Sequence, residues 1–196
     1  MRVLVTGAMG FIGTALCRTL SLLHHEVRRV VRQKVVSEEG VFVADIATGD
    51  GLKPALEAVD VVVHLVGVAH AKQSWSEYRR INVDATENLA KTAAQAGVKR
   101  FIFLSSIKAN GEETAGRSFT EQSVPHPEDA YGISKLQAEK ALFRLAEQTK
   151  LEVVVIRPPL VYGPGVKGNL LRLLRWIENG WPVPVPLQPN RRSLIG

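Results

Sequence analysis

Thr6-Gly7-Ala8-Met9-Gly10-Phe11-Ile12-Gly13 decides how this chain folds. It joins the apolar run Val3–Val5 to residues 11–23, where Phe11, Ile12, Ala15, Leu16, Leu20 and Leu23 recur at helical spacing. A strand that turns through glycines into a helix is the phosphate-cradling turn of dinucleotide-binding folds. Gly7 permits the tight turn, Gly10 lets the backbone approach a pyrophosphate, and Gly13 allows close helix–strand packing. The helix start adds unpaired N–H groups and a partial positive charge. The spacing, Gly-x-x-Gly-x-x-Gly, is one residue longer than the common dinucleotide fingerprint.

Outward from that turn, apolar runs predict further strands over 27–31, 41–43, 61–66, 101–104 and 153–156. Helical periodicity predicts long helices over 75–96, closed by Gly97, and over 130–149. Strands alternating with helices predict an α/β fold, a Rossmann-type doubly wound parallel sheet with right-handed crossovers. Pro158-Pro159 and Gly163-Pro164-Gly165 break the pattern; a short helix over 169–179 and a Pro-rich stretch over 182–189 follow. The expected domains are a dinucleotide-binding domain, 1–165, and the beginning of a small C-terminal substrate domain, 166–196, cut short at Gly196. Trp176 and Trp181 are expected to pack the last helix against that missing remainder.

The chain has 196 residues, 45% apolar and 22% charged, which suits a globular protein with one full core. No run approaches the roughly 18 apolar residues of a spanning helix, and the first strand begins at Arg2 with no leader ahead of it, so a cytoplasmic protein is expected. Cys17 is the single cysteine and has no partner for a disulfide or a metal cage. The net charge of +6 would suit nucleic acid or small anions; the Lys and Arg residues are scattered, with no basic block interleaved with aromatics, which argues against nucleic acid.

Two positions bear on the cofactor form. An acid at the end of the second strand would hold a ribose diol, whereas Val31-Arg32 stands there and suits a 2′-phosphate, favouring NADP slightly over NAD unless Arg32 is merely solvated. Asp45, beside Ile46, would accept from an adenine amino group or act as an ordinary cap.

The chemistry is carried by Tyr131-Gly132-Ile133-Ser134-Lys135, which puts Tyr131 and Lys135 at i and i+4 on one helix face. The ammonium is expected to lower the phenol from its reference of about 10, so that Tyr131 serves as general acid or base. Lys135 would also bond the nicotinamide ribose, and Ser106 would donate to the same substrate oxygen as Tyr131. Lys108, two residues past Ser106, would approach a substrate phosphate or hydroxyl. His64 reads as a core histidine, and His70 as a loop residue near the active-site mouth.

Together, TGAMGFIG, SSIKANG, YGISK and RPPLVYGPG resemble the extended short-chain dehydrogenase/reductase family, in particular its NAD(P)-dependent nucleotide-sugar epimerases, dehydratases and reductases. That resemblance implies cofactor contacts from Gly7, Gly10, Phe11, Ile12 and Gly13, an adenine-side pair Asp45 and Ile46, and a strand end Leu65, Val66 and Gly67 beneath the nicotinamide ribose. It implies Asn82 near the cofactor, Ser106, Tyr131 and Lys135 as the catalytic set, and Asn169 and Arg192 on the substrate's diphosphate. Ser106-Ile107-Lys108 replaces the Thr-Asp-Glu of the 4,6-dehydratases, and Leu160 replaces an asparagine frequent in epimerases. The resemblance thus implies hydride transfer at C4 of a UDP-sugar by an epimerase or a 4-keto-sugar reductase. The resemblance also implies a homodimer paired through helices 75–96 and 130–149. The rival from another class is a non-catalytic dinucleotide sensor, which needs the glycine turn but neither Tyr131 nor Lys135.

Overall fold

A computed structural model describes residues 1–32, 39–69, 73–114, 116–166, 168–182 and 191–196. His70 and most of the Pro-rich stretch, 183–190, lie outside them. The chain divides into two compact units, Met1–Arg157 and Pro158–Gly196, a division ahead of the 165/166 position read from the sequence.

In the first unit six strands form one sheet: β1 (Arg2–Thr6), β2 (Glu26–Val31), β3 (Val41–Val43), β4 (Val61–His64), β5 (Arg100–Leu104) and β6 (Glu152–Ile156). Their order is β3-β2-β1-β4-β5-β6, parallel throughout, with Arg2 paired to Glu26, Val3 to Val61, Val61 to Arg100 and Arg100 to Glu152. The chain winds outward from β1 in one direction through β3 and in the other through β6. The order therefore reverses between β1 and β4, and the crevice beyond their carboxyl ends is where such sheets take ligands.

Helix α1 (Phe11–Leu22) covers one face, over Val3, Val5 and Val63. The other face carries α2 (Leu52–Leu56), α4 (Ala85–Gln95) and α5 (Ala130–Gln148), which enclose Leu4, Val62, Phe101 and Phe103 with Leu89 and Leu142, all fully buried. Each such side chain contributes about 2 kcal/mol by leaving water. The predicted helix over 75–96 is not one regular helix. It runs as α3 (Trp75–Tyr78), a π-helical turn (Arg79–Asp84) and α4. The wider turn brings Asn82 inward, fully buried, in a place where π-turns are often functional.

His64 ends β4 as a core residue, stacked on Phe103 at 5.8 Å between ring centroids. Its Nδ1 lies 2.6 Å from Thr6 Oγ1 and its Nε2 2.9 Å from Thr86 Oγ1. Thr86 spends its proton on the Asn82 carbonyl, so it accepts from His64 Nε2–H, and the bare Nδ1 accepts from Thr6. The imidazole is thus neutral and ties β1 to β4 beside the crevice. Burial, with the Lys135 charge adding to it, pushes His64 down to about 3 from 6.5. The folded value lies below the unfolded one, so this contribution is complete above pH 6.5 and is lost as pH falls toward 3. Between pH 6 and pH 4, His64→Gln is expected to flatten the fall in urea-unfolding stability by about 1.4 kcal/mol per pH unit. Equal slopes for the two proteins would contradict this.

The second unit pairs β7 (Leu160–Val161) in parallel with β8 (Leu194–Ile195) and carries α6 (Gly168–Glu178). Trp176 and Trp181 stack edge to face at 5.7 Å, and both are exposed. Among the described residues no helix is long and apolar enough to cross a membrane.

Candidate active site

The crevice between β1 and β4 is shaped by what a Cβ would meet there. Gly7 holds φ +70°, which other residues adopt only under strain, and a side chain on it would press on the Leu65–Val66 peptide at 3.2 Å. A Cβ on Gly13 would lie 2.1 Å from the Gly7 carbonyl oxygen, so α1 leaves the turn at backbone contact. Gly10 precedes α1 without any side-chain cap, and the first turn holds no acid. Its free N–H groups and positive dipole end are therefore open to an anion, and the residues fit a dinucleotide pyrophosphate. Phe11 and Ile12, in that first turn, are half-buried.

At the tip of β2, Arg32 is exposed. Asp45 caps its own turn, its Oδ1 accepting from Ala47 N at 2.7 Å, so the capping alternative describes that oxygen. Ile46 beside it is buried in the core. Leu65, Val66 and Gly67 leave the sheet after His64 rather than extending the strand to 66. Gly67 lies where a Cβ would be 2.9 Å from Lys135 Nζ. Asn82 spends its amide on this loop and on α5: Oδ1 accepts from Val68 N at 2.8 Å, and Nδ2 donates to Val68 O at 3.0 Å and to Ser134 Oγ at 2.9 Å. It fastens the strand tip to the helix.

The sheet delivers the rest from β5. Ser105 continues its ladder, donating its N–H to Ile156 O at 2.8 Å, and Ser106 caps the short 3-10 turn 107–109. Asp129 caps α5 through Gly132 N at 2.6 Å. The first two turns of α5 then present Tyr131, whose hydroxyl is near enough to Ser106 to feel it, and Lys135, whose Nζ donates to Leu104 O at 2.9 Å. Ser106, Tyr131 and Lys135 are thus brought together at the end of β5. Tyr78 stands at 6.4 Å from the Tyr131 ring.

The electrostatics correct one expectation. The phenol is not lowered; burial pushes Tyr131 above its ordinary value, with Ser106 opposing. Helical spacing placed Lys135 on the right face, but its Nζ turns toward Leu104 and the Phe103 ring, 4.6 Å from that centroid and 6.0 Å from that of Tyr131. Burial in turn holds Lys135 down at about 8. Lys108 Nζ is engaged by Glu112 and Asp129, each at 2.7 Å, so its charge braces the start of α5.

Asn169 and Arg192 belong to the second unit, where both are exposed and Asn169 accepts from Arg172 at 2.6 Å. Sequence reasoning missed the polar group beneath the site: Ser105, Asn110 and Glu139, all buried, with the partly buried Arg157. The signal was available, because Tyr131, Lys135 and Glu139 recur every four residues along one face.

The NAD dependent epimerase/dehydratase family model matches residues 3–191. A "UDP-glucose 4-epimerase" of Vibrio cholerae is 43% identical over 98% of this chain and 62% of that protein. An N-acetyl-alpha-D-glucosaminyl-diphospho-ditrans,octacis-undecaprenol 4-epimerase of Escherichia coli O157:H7 is 30% identical over 98% of the chain and 58% of that protein. The chain therefore spans about six-tenths of the length of these relatives. Among solved structures, MoeE5 in complex with UDP-glucose and NAD matches with a TM-score of 0.81 at 33% identity, over 93% of this chain and 63% of that one. UDP-glucuronic acid 4-epimerase from Bacillus cereus in complex with NAD matches with a TM-score of 0.80 at 25% identity, over 93% and 65%.

Proposed function

The chain belongs to the NAD dependent epimerase/dehydratase family, and from that premise we propose that it forms the cofactor-binding and catalytic part of a nucleotide-sugar 4-epimerase acting on a UDP-hexose. The observation that carries this reading is the meeting of Ser106, Tyr131 and Lys135 at the end of β5, beside the crevice where the strand order reverses. The 4-epimerase names among the relatives, and the UDP-sugar and NAD named with the structural neighbours, support the substrate class.

A nicotinamide dinucleotide bound along Gly7–Gly13 supplies the acceptor and donor of hydride. In its deprotonated form Tyr131 takes the proton from the sugar O4 and, as the phenol so formed, later returns it, and Ser106 holds that oxygen in place. Lys135, buried and cationic, holds the nicotinamide ribose and the local positive charge. Phe11, Ile12 and Leu65–Gly67 line the dinucleotide, with Asp45 and Ile46 at its adenine end. The proposed partner is a second copy of the chain, paired through α3–α4 and α5, where Phe143 is 47% exposed. Monomeric sedimentation would contradict that pairing.

The test is a panel of UDP-hexoses, with C4 epimers resolved by chromatography. Interconversion without net consumption of added dinucleotide is expected, and no epimer from any UDP-hexose would overturn the reading. One observation favours a second reading, a 4-keto-sugar reductase drawing on external NADPH: Arg32 is exposed at the tip of β2, suited to a 2′-phosphate. Arg32→Ala is expected to weaken NADP binding by about tenfold, the worth of one charge-assisted contact, and to leave NAD binding in place. Equal loss for both dinucleotides in calorimetry would remove Arg32 from this role.

A further inference from the structure

Beneath the catalytic set lies a charged group that the proposed reaction leaves unused. Glu139 is 1% exposed and stands one turn beyond Lys135, itself 3% exposed. Arg157 Nε donates to both Glu139 carboxylate oxygens, at 3.0 and 3.2 Å, and Arg157 Nη2 bonds the same carboxylate. Ser105, the neighbour of Ser106, donates its hydroxyl to Glu139 Oε1. Arg157 Nη1 reaches on to Asn110 Oδ1 at 3.1 Å. One carboxylate thus ties α5 to the ends of both β5 and β6.

We infer that Glu139 is a positioning residue of the catalytic set: clamped by Arg157 and Ser105, its carboxylate sets a negative charge one turn along α5 from the Lys135 ammonium and fixes the strand end that carries Ser106. The inference rests on the assignment of Lys135 to that set. A buried ion pair that served packing alone would be replaceable by apolar side chains at little cost. Here Glu139 is buried and Arg157 partly exposed, and a buried cation, Lys135, lies one helical turn from the same carboxylate. The ionisable groups facing Lys135 are Tyr131 and Glu139 along α5 and His64 from β4. Facing Tyr131 are Tyr78 of α3, Asp129 and Lys108; facing Glu139 is Arg157. Among these, Glu139 is the carboxylate whose charge acts on Lys135, opposing the burial in a balance that leaves the ammonium at about 8. Without it burial alone would draw the lysine lower still.

The test needs neither cofactor nor substrate. With lysine labelled at Cε with carbon-13, Lys135 of the unaltered chain is followed through its titration by NMR. Glu139→Gln keeps hydrogen-bond acceptance for Arg157 and Ser105 but removes the charge, and is expected to lower the Lys135 midpoint by about 1 pH unit. Glu139→Asp, which keeps the charge one methylene further back, is expected to lower it by less and serves where the Gln protein does not fold. A midpoint that stays put in the variants, or moves equally in both, would overturn the inference. In turnover, the alkaline limb should move down with the NMR midpoint while KM for the sugar nucleotide holds. Because the titration is read on the free protein, a chain inactive on every UDP-hexose would sink the functional reading and leave this test intact.

Discussion

Tyr131→Phe is expected to lower turnover on a UDP-hexose by about 10³-fold, the middle of the range for a lost general acid–base group. The expectation is sharp because little else depends on the hydroxyl. The α5 cap is made by Asp129 to Gly132 N, Ser134 Oγ donates to the Tyr131 backbone carbonyl, and the ring packs near Tyr78. A phenylalanine keeps all three. Ser106 loses its phenol neighbour but retains its bond from Lys108 N. Stability should therefore fall by only about 1 kcal/mol, the net worth of one hydrogen bond. Dinucleotide affinity, which the proposal places at the glycine turn, should hold. Calorimetry and steady-state rates on the same preparation check both halves, and a Phe protein with undiminished turnover would return the chain to the class of non-catalytic dinucleotide sensors.

Gly13→Ala carries the second large effect, on binding. The new methyl would stand 2.1 Å from the Gly7 carbonyl oxygen and 2.8 Å from Ala8 Cα. Both obstacles are backbone, so relief requires α1 to move off β1 or the turn to open. Overpacking of this kind costs about 1–3 kcal/mol. Because the displaced atoms are those proposed to meet the pyrophosphate, about 2 kcal/mol of that should appear as a roughly 30-fold weaker Kd. Binding as tight as that of the unaltered chain would show that the dinucleotide lies elsewhere.

The sequence made the scaffold legible where a segment reports its own periodicity. The runs Val3–Val5 and Val41–Val43 and the helix from Ala130 are all found where their apolar spacing put them. Elements too short to have a period were not: α2, five residues with Pro54 inside it, and the pair β7–β8, two residues each and more than thirty positions apart. The π-turn at Arg79–Asp84 was hidden for the opposite reason. One extra residue in a helical turn leaves the apolar pattern on either side almost unchanged.

The candidate site divides in the same way. Tyr131 and Lys135 share a face because Cβ positions follow from spacing. Where a long side chain ends does not: Lys135 Nζ goes to Leu104 O, and Lys108 Nζ to Glu112 and Asp129. Glu139 went unnoticed because an acid on a helix ordinarily faces water. Its partners, Ser105 and Arg157, come from strand ends that only the folded sheet brings beside α5.

A UDP-hexose carrying deuterium at C4 tests the central claim most directly. If Tyr131 moves the O4 proton while the C4 hydrogen travels to the nicotinamide and back, the epimer should retain its deuterium at C4, and only with dinucleotide bound. Epimer whose C4 deuterium has washed out into water, or that forms equally fast on dinucleotide-free protein, would contradict the account.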